Sequence, residues 1–178
     1  SPYIDFVQSA YQLAIRDESL SNIILFDVFH HLKYPQSALN EFYRALKEKG
    51  RVIIFEPDIS FLGFLVYGLF HKEPVNWNEK ILWDVEEKEV LSDKSYYSAQ
   101  GNATRVFLKK EYELSSRLWK IILVERYSAI SYVLSGGYSK PQLYPDFSYP
   151  LIKLLEKILD IFPALFSTRM LVVLEKNK

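Results

Sequence analysis

Residues 17–58 read DESLSNIILFDVFHHLKYPQSALNEFYRALKEKGRVIIFEPD. A polar start gives way to IILFDV (23–28), a near-continuous apolar run of the kind that forms a strand buried on both faces of a parallel sheet. His30, His31 and Lys33 end the run, and Pro35 suits the first turn of a helix. From Gln36 to Glu48, Leu39, Phe42 and Leu46 recur at helical spacing, while Glu41, Arg44, Lys47 and Lys49 mostly take the outer face. Lys47 and Lys49 complement the helix dipole, and Gly50 is placed for a left-handed cap. RVIIFE (51–56) follows as a second buried strand, stopped by Pro57. Strand, polar crest, helix, glycine and strand on short links predict a parallel crossover, one half of an α/β domain.

Outward from this unit the pattern is less regular. YIDFV (3–7) alternates and predicts a short strand, and residues 9–22 form a polar connection. Residues 59–70, ISFLGFLVYGLF, are apolar all round and predict a helix packed on the sheet. Residues 71–117 are polar and aromatic, with Pro74, Trp77, Trp83, Tyr96 and Tyr97, and predict an insertion of short helices and loops. WKIILVE (119–125) predicts a strand and Ser135-Gly136-Gly137 a turn. Over 151–162, Leu151, Leu154, Leu155, Ile158, Leu159 and Phe162 share one helix face, and Lys153, Glu156, Lys157 and Asp160 the other. MLVVL (170–174) predicts a closing strand.

Composition removes several function classes. The 178 residues suffice for one domain with a sizeable core. The 22 basic and 22 acidic side chains cancel, which leaves no basic field for nucleic acid. Without cysteine there is no disulfide, thiolate metal site or cysteine nucleophile, and a reducing cytoplasm is compatible. The longest uncharged apolar stretch, 59–70, falls short of the roughly 20 residues of a bilayer span.

Together the segments resemble the C-terminal two-thirds of a class I S-adenosylmethionine-dependent methyltransferase of the small-molecule type. VQSAYQLAI (7–15) is similar to that family's adenine-side segment, g-D-A-x-x-L-P-f. DESLSNIILFDVFHHL (17–32) resembles the acidic loop and fourth strand, ending as the family's v-l-h-H-l. ALNEFYRALKEKGRVIIFEPD (38–58) resembles l-x-E-x-x-R-v-L-k-p-G-G-x-l-v-i-x-e, and STRMLVVLEK (167–176) the closing antiparallel strand. Ser9 stands where the family has Asp, Ala14 where it has Pro, and Lys49 where it has the first Gly of G-G.

The resemblance implies an α/β fold: a Rossmann-like sheet with strands 3, 4, 5, 6 and 7 of the order 3-2-1-4-5-7-6, strands 1 and 2 absent, and flanking helices. The chain is then a single partial domain over 1–178, with 71–117 as a substrate-side lid. The implied cofactor is S-adenosylmethionine, bordered by Ser9, Ala10, Phe26 and Asp27. The implied reaction is methyl transfer to an oxygen or nitrogen of a small metabolite, saccharide or lipid-linked intermediate, in the cytoplasm.

His31 is the best candidate for a proton acceptor, though the His30-His31 pair would equally cap the strand and bond the next loop. Adjacent histidines do not easily share an ion, and the only other one is His71, so no metal site is expected. Glu56 and Asp58 either bind substrate or are solvated. The alternative function is a non-catalytic methyltransferase-like subunit that binds a partner or membrane surface.

No glycine-rich strand-to-helix turn occurs in these residues, and Gly136-Gly137 lies in a late turn. The chain is therefore expected to be a fragment, or to be completed by another chain or copy along a free sheet edge. It should bind S-adenosylmethionine poorly. Isothermal titration showing micromolar binding by this chain alone would overturn that expectation.

Overall fold

The computed structural model describes residues 7–83, 85–93, 95–137 and 140–178. The crossover unit forms as expected: strand β1 (Leu20–Phe26), helix α1 (Pro35–Ala45) and strand β2 (Leu46–Pro57). β1 and β2 pair in parallel, with Ile23 opposite Val52 and Leu25 opposite Ile54. Pro35 occupies the first turn of α1, where its missing N–H costs nothing. Ala38, Leu39, Phe42 and Ala45 are buried. The polar connection before β1 is tied to this helix by Arg44, which donates to the carbonyls of Leu13 (3.0 Å) and Ile15 (2.8 Å) and pairs with Glu41 and Asp17.

The helix ends earlier than its periodicity predicts. Leu46 is drawn fully into the core in an extended conformation, and its carbonyl accepts from Lys176 Nζ at 2.8 Å. Gly50 is not a left-handed cap; Lys49 takes the positive φ of 58°. A Cβ at Gly50 would lie 2.8 Å from the Lys47 carbonyl oxygen, so close approach of the backbone is what calls for glycine there.

β2 is followed by α2 (Phe61–Phe70), α3 (Glu87–Ser92) and a π-helical turn (Thr104–Leu108). Then come β3 (Trp119–Tyr127), α4 (Ile130–Leu134), α5 (Tyr149–Leu159), α6 (Pro163–Phe166) and β4 (Arg169–Lys176). The four strands make one mixed sheet in the order β1-β2-β4-β3, with β4 antiparallel to both its neighbours. Of the strand expected over 3–7, residues 3–6 lie outside the described residues, and Val7 is exposed and not in a strand.

One face of the sheet carries the core. Leu25, Val52, Ile54, Met170, Val172 and Leu174 pack there against Leu39, Phe42 and Phe29. Residues 71–117 join them through Ile81, Ala103, Val106 and Phe107. Each such side chain gains roughly 1.5–3 kcal/mol from burial.

The expectation that 23–28 is buried on both faces holds for one face only. Ile24 is 68% exposed and Phe26 43%, and β1 pairs with β2 alone among the described residues. No helix among the described residues is long and apolar enough to cross a membrane.

Two helices depart from their sequence patterns. α2 buries only Gly63 and Tyr67 and leaves Phe61, Phe64, Leu69 and Phe70 exposed, so it is not packed all round. In α5 the apolar face (Leu151, Leu154, Leu155, Ile158) points outward, and Glu156 is the buried residue. Glu156 Oε1 accepts from the Ser131 backbone and hydroxyl, both at 2.6 Å, and Lys153 pairs with its other oxygen. Burial alone would raise the pKa of Glu156; these partners more than offset that and hold it below its usual value. The polar anchor, rather than the apolar stripe, orients the helix.

Ser60 caps α2 by accepting from Gly63 N at 3.1 Å. A Cβ on Gly63 would fall 2.0 Å from the Asp58 carbonyl oxygen, whereas one on Gly68 would meet only Phe64 at 3.9 Å. Gly63→Ala should therefore lower stability in urea unfolding by at least ~2 kcal/mol. Gly68→Ala should leave it unchanged or raise it by up to about 1 kcal/mol.

Candidate functional site

The carboxyl ends of β1 and β2 point to one side of the sheet, where ligands of open α/β sheets gather. Two carboxylates at the end of β2 build that side, and both are 0% exposed. They are neither solvated nor open to substrate, contrary to both sequence expectations. Glu56 Oε1 accepts from the backbone N–H groups of Val28 and Phe29, each at 2.6 Å, and Oε2 from His30 Nδ1 at 2.6 Å. One carboxylate thus holds the start of the 3-10 turn Phe29–His31 and fixes the ring inside it. Asp58 accepts from Arg126 Nε (2.6 Å), from the Thr104 hydroxyl (3.2 Å) and from the Ser167 hydroxyl.

Beside this scaffold lies a cavity of about 370 Å³. Asp27, His30 and His31 enter it from the end of β1, Tyr67 and Phe70 from α2, and Arg169 from the start of β4. His71, Glu73 and Gln100 come from the segment between α2 and β3, and Tyr132, Gly136, Gly137 and Lys140 from the segment after β3.

On one wall, His31 Nδ1 donates to the Tyr97 carbonyl at 3.1 Å, and its Nε2 lies 3.6 Å from Glu73 Oε1. His30 Nε2 lies 3.2 Å from Glu73 Oε2. Glu73 also accepts from Tyr96 (2.8 Å) and Gln100 (2.6 Å). Burial alone would favour neutral His30, but the Glu56 bond and the charges of Glu56, Glu73 and Asp27 outweigh it and raise the pKa. Burial lowers that of His71.

The opposite wall is the buried pair Arg169–Asp27 at 2.6 Å. Arg169 stacks over Phe55 (4.4 Å) and Tyr132 (4.9 Å). Burial pushes the neighbouring Tyr67 hydroxyl up to about 12.

Asp27 and His31, both singled out from the sequence, meet in this cavity. Phe26 stacks on Phe55 at 5.1 Å and does not line it. Ser9 and Ala10 lie in an N-terminal turn away from the lining: Ser9 Oγ accepts from Tyr11 N, and Ala10 packs on the core. Tyr11 Oη accepts from Lys33 N at 3.0 Å, which docks this turn beside the start of α1.

The sequence led to no metal site being expected, because adjacent histidines do not easily share an ion. Within the 3-10 turn the two ring centroids are 4.1 Å apart, and one donor atom each of His30, His31 and Glu73 lies within 4.8 Å of the others. Glu73, Gln100, Tyr67, Tyr132 and Arg169 were not anticipated. The available signal was Arg169, a charge directly before the apolar run 170–174.

Residues 1–54 match the family model of the methyltransferase domain. That stretch is methyltransferase-like. The resemblance of this stretch to methyltransferases therefore stands. No curated protein matches the chain.

Solved structures similar to it include an S-adenosylmethionine-dependent methyltransferase from Mesorhizobium loti (12% identity, TM-score 0.44, 94% of this chain and 67% of that one). Another, from Thermotoga maritima, shows 16% identity and TM-score 0.42 over 96% and 62% of the two chains. The YcgJ protein of Bacillus subtilis shows 16% identity and TM-score 0.41 over 96% and 69%. The chain spans about two thirds of the length of these structures. At such identities and TM-scores they transfer no function.

Glu56→Ala should leave two backbone donors and His30 without an acceptor and cost on the order of 3–5 kcal/mol. Urea unfolding measures this, and a loss under about 1 kcal/mol would mean that water replaces the carboxylate.

Proposed function

We propose that the protein takes part in S-adenosylmethionine-dependent methyl transfer to an oxygen or nitrogen of a small metabolite, saccharide or lipid-linked intermediate. The observation that carries this reading is His31 Nε2, 3.6 Å from Glu73 Oε1 and facing a cavity at the carboxyl ends of β1 and β2, within a segment that matches a methyltransferase domain. On this reading β1, β2, β4 and β3 are strands 4, 5, 7 and 6 of the family order. Residues 71–117 wall the substrate side as a lid, and a cytoplasmic location fits a chain without cysteine.

The residues present fit the cofactor in part. By the resemblance, Ser9, Ala10, Phe26 and Asp27 border the adenosine and methionine. Phe26 offers a half-exposed ring at the end of β1, and the 9–12 turn is docked beside α1. Bound there, S-adenosylmethionine supplies an electrophilic methyl group.

The protein's own part is alignment and removal of one proton. An acceptor O–H or N–H held against His31 would give its proton to Nε2 as the acceptor atom takes the methyl carbon, the carbon–sulfur bond breaking to release the neutral thioether. The Tyr97 carbonyl keeps the ring in the tautomer that can receive it, and the Glu73 carboxylate 3.6 Å away balances the imidazolium that forms. Tyr67, Phe70 and Tyr132 give the cavity an aromatic lining suited to an acceptor with an apolar or sugar face.

Incubation with saturating methyl-labelled S-adenosylmethionine and a small-molecule extract should move label into an acceptor. His31→Gln should slow this by about 10²–10⁴-fold. No transfer would sink the reading; transfer at the wild-type rate by His31→Gln would remove His31 as the proton acceptor.

A further inference from the structure

All three histidines of the chain, His30, His31 and His71, line one cavity, and the chain has no cysteine. Two of those rings are presented in a particular way. His30 uses Nδ1 on Glu56, a carboxylate itself held by two backbone N–H groups, and His31 uses Nδ1 on the Tyr97 carbonyl. In both, the outer nitrogen is fixed by a second partner and Nε2 faces Glu73. This is how metal-ligating histidines are held, their other nitrogen bonded to a carboxylate or a carbonyl.

Each ring nitrogen lies near one Glu73 oxygen, and one donor atom from each of the three residues lies within 4.8 Å of the others. His30 Nε2 lies 3.2 Å from Glu73 Oε2, and His31 Nε2 lies 3.6 Å from Glu73 Oε1. A tetrahedral ion with bonds of about 2.0–2.1 Å holds its donors roughly 3.3 Å apart. Glu73 is oriented from outside by the Tyr96 hydroxyl and the Gln100 amide. The Gln100 amide also lies 3.4 Å from His30 Nε2, so it would turn aside as an ion binds.

We propose that His30, His31 and Glu73 form a binding site for a divalent cation of the zinc class, with a fourth position open to the cavity. Two imidazoles and one carboxylate are a borderline donor set that suits zinc, cobalt or nickel over magnesium or calcium. The open position takes water or an acceptor oxygen. In the loaded state the His31 lone pair belongs to the ion, so metal-bound and proton-accepting His31 exclude each other. His71 is not a ligand, because its Nδ1 accepts from the Glu73 backbone N–H at 3.2 Å.

The test needs neither S-adenosylmethionine nor an acceptor, so it fails or succeeds apart from the methyl-transfer reading. Untagged protein, stripped with chelator, is titrated with zinc chloride by calorimetry and with cobalt chloride by visible absorption. One zinc per chain at micromolar affinity and a four-coordinate cobalt spectrum are expected. Glu73→Gln and His31→Ala should each weaken binding at least 10-fold, while His71→Ala should change it less than about 2-fold. Circular dichroism melts establish that each variant folds, and Glu73→Gln, at a half-buried position, serves if His31→Ala does not. No binding, or zinc binding unchanged in Glu73→Gln, overturns the proposal.

Discussion

Two carboxylates without access to water, Glu56 and Asp58, set the terms for everything around the end of β2. A buried charge is tolerable only when fully bonded, so each dictates where its donors must sit. Glu56 calls two backbone amides and an imidazole to itself and so shapes the turn after β1. Asp58 draws Arg126 from β3, Ser167 from the approach to β4 and Thr104 from the insertion. Elements from four parts of the chain are thereby fixed at one end of the sheet, and the cavity is the space they leave.

The crossover unit was legible because apolar period and punctuation agree: IILFDV, Pro35, the Leu39/Phe42 spacing and RVIIFE each report local structure. What failed were properties that only tertiary partners decide. Glu56 and Asp58 look like solvated loop acids until their donors, up to 109 residues away, are in place. In α5 the period names two faces but not which one is inward; one buried Glu156 bound to Ser131 settles it against the apolar stripe. The end of α1 moved because Leu46 is worth more in the core than as a further helical residue.

At the cavity, His31 and Asp27 could be picked out because they close an apolar strand, where polar side chains are conspicuous. Glu73 and Gln100 could not, since they sit in an insertion rich in polar residues with no period to single them out. The two walls differ in kind. One is a carboxylate gathering imidazoles, and the other is a guanidinium stacked on aromatic rings and paired with Asp27. A ligand spanning them meets donors on one side and acceptors on the other.

β4 is the last of the four strands along the chain, yet it lies inside the sheet between β2 and β3. During synthesis β1, α1 and β2 can assemble as soon as they leave the ribosome, but β3 must wait with no neighbour for some forty residues. The sheet, Arg169 on the cavity wall and the Lys176 bond to Leu46 all arrive together, with the final strand. Without residues 169–176, β3 would have no partner among the described strands and the cavity would lose its Arg169 wall.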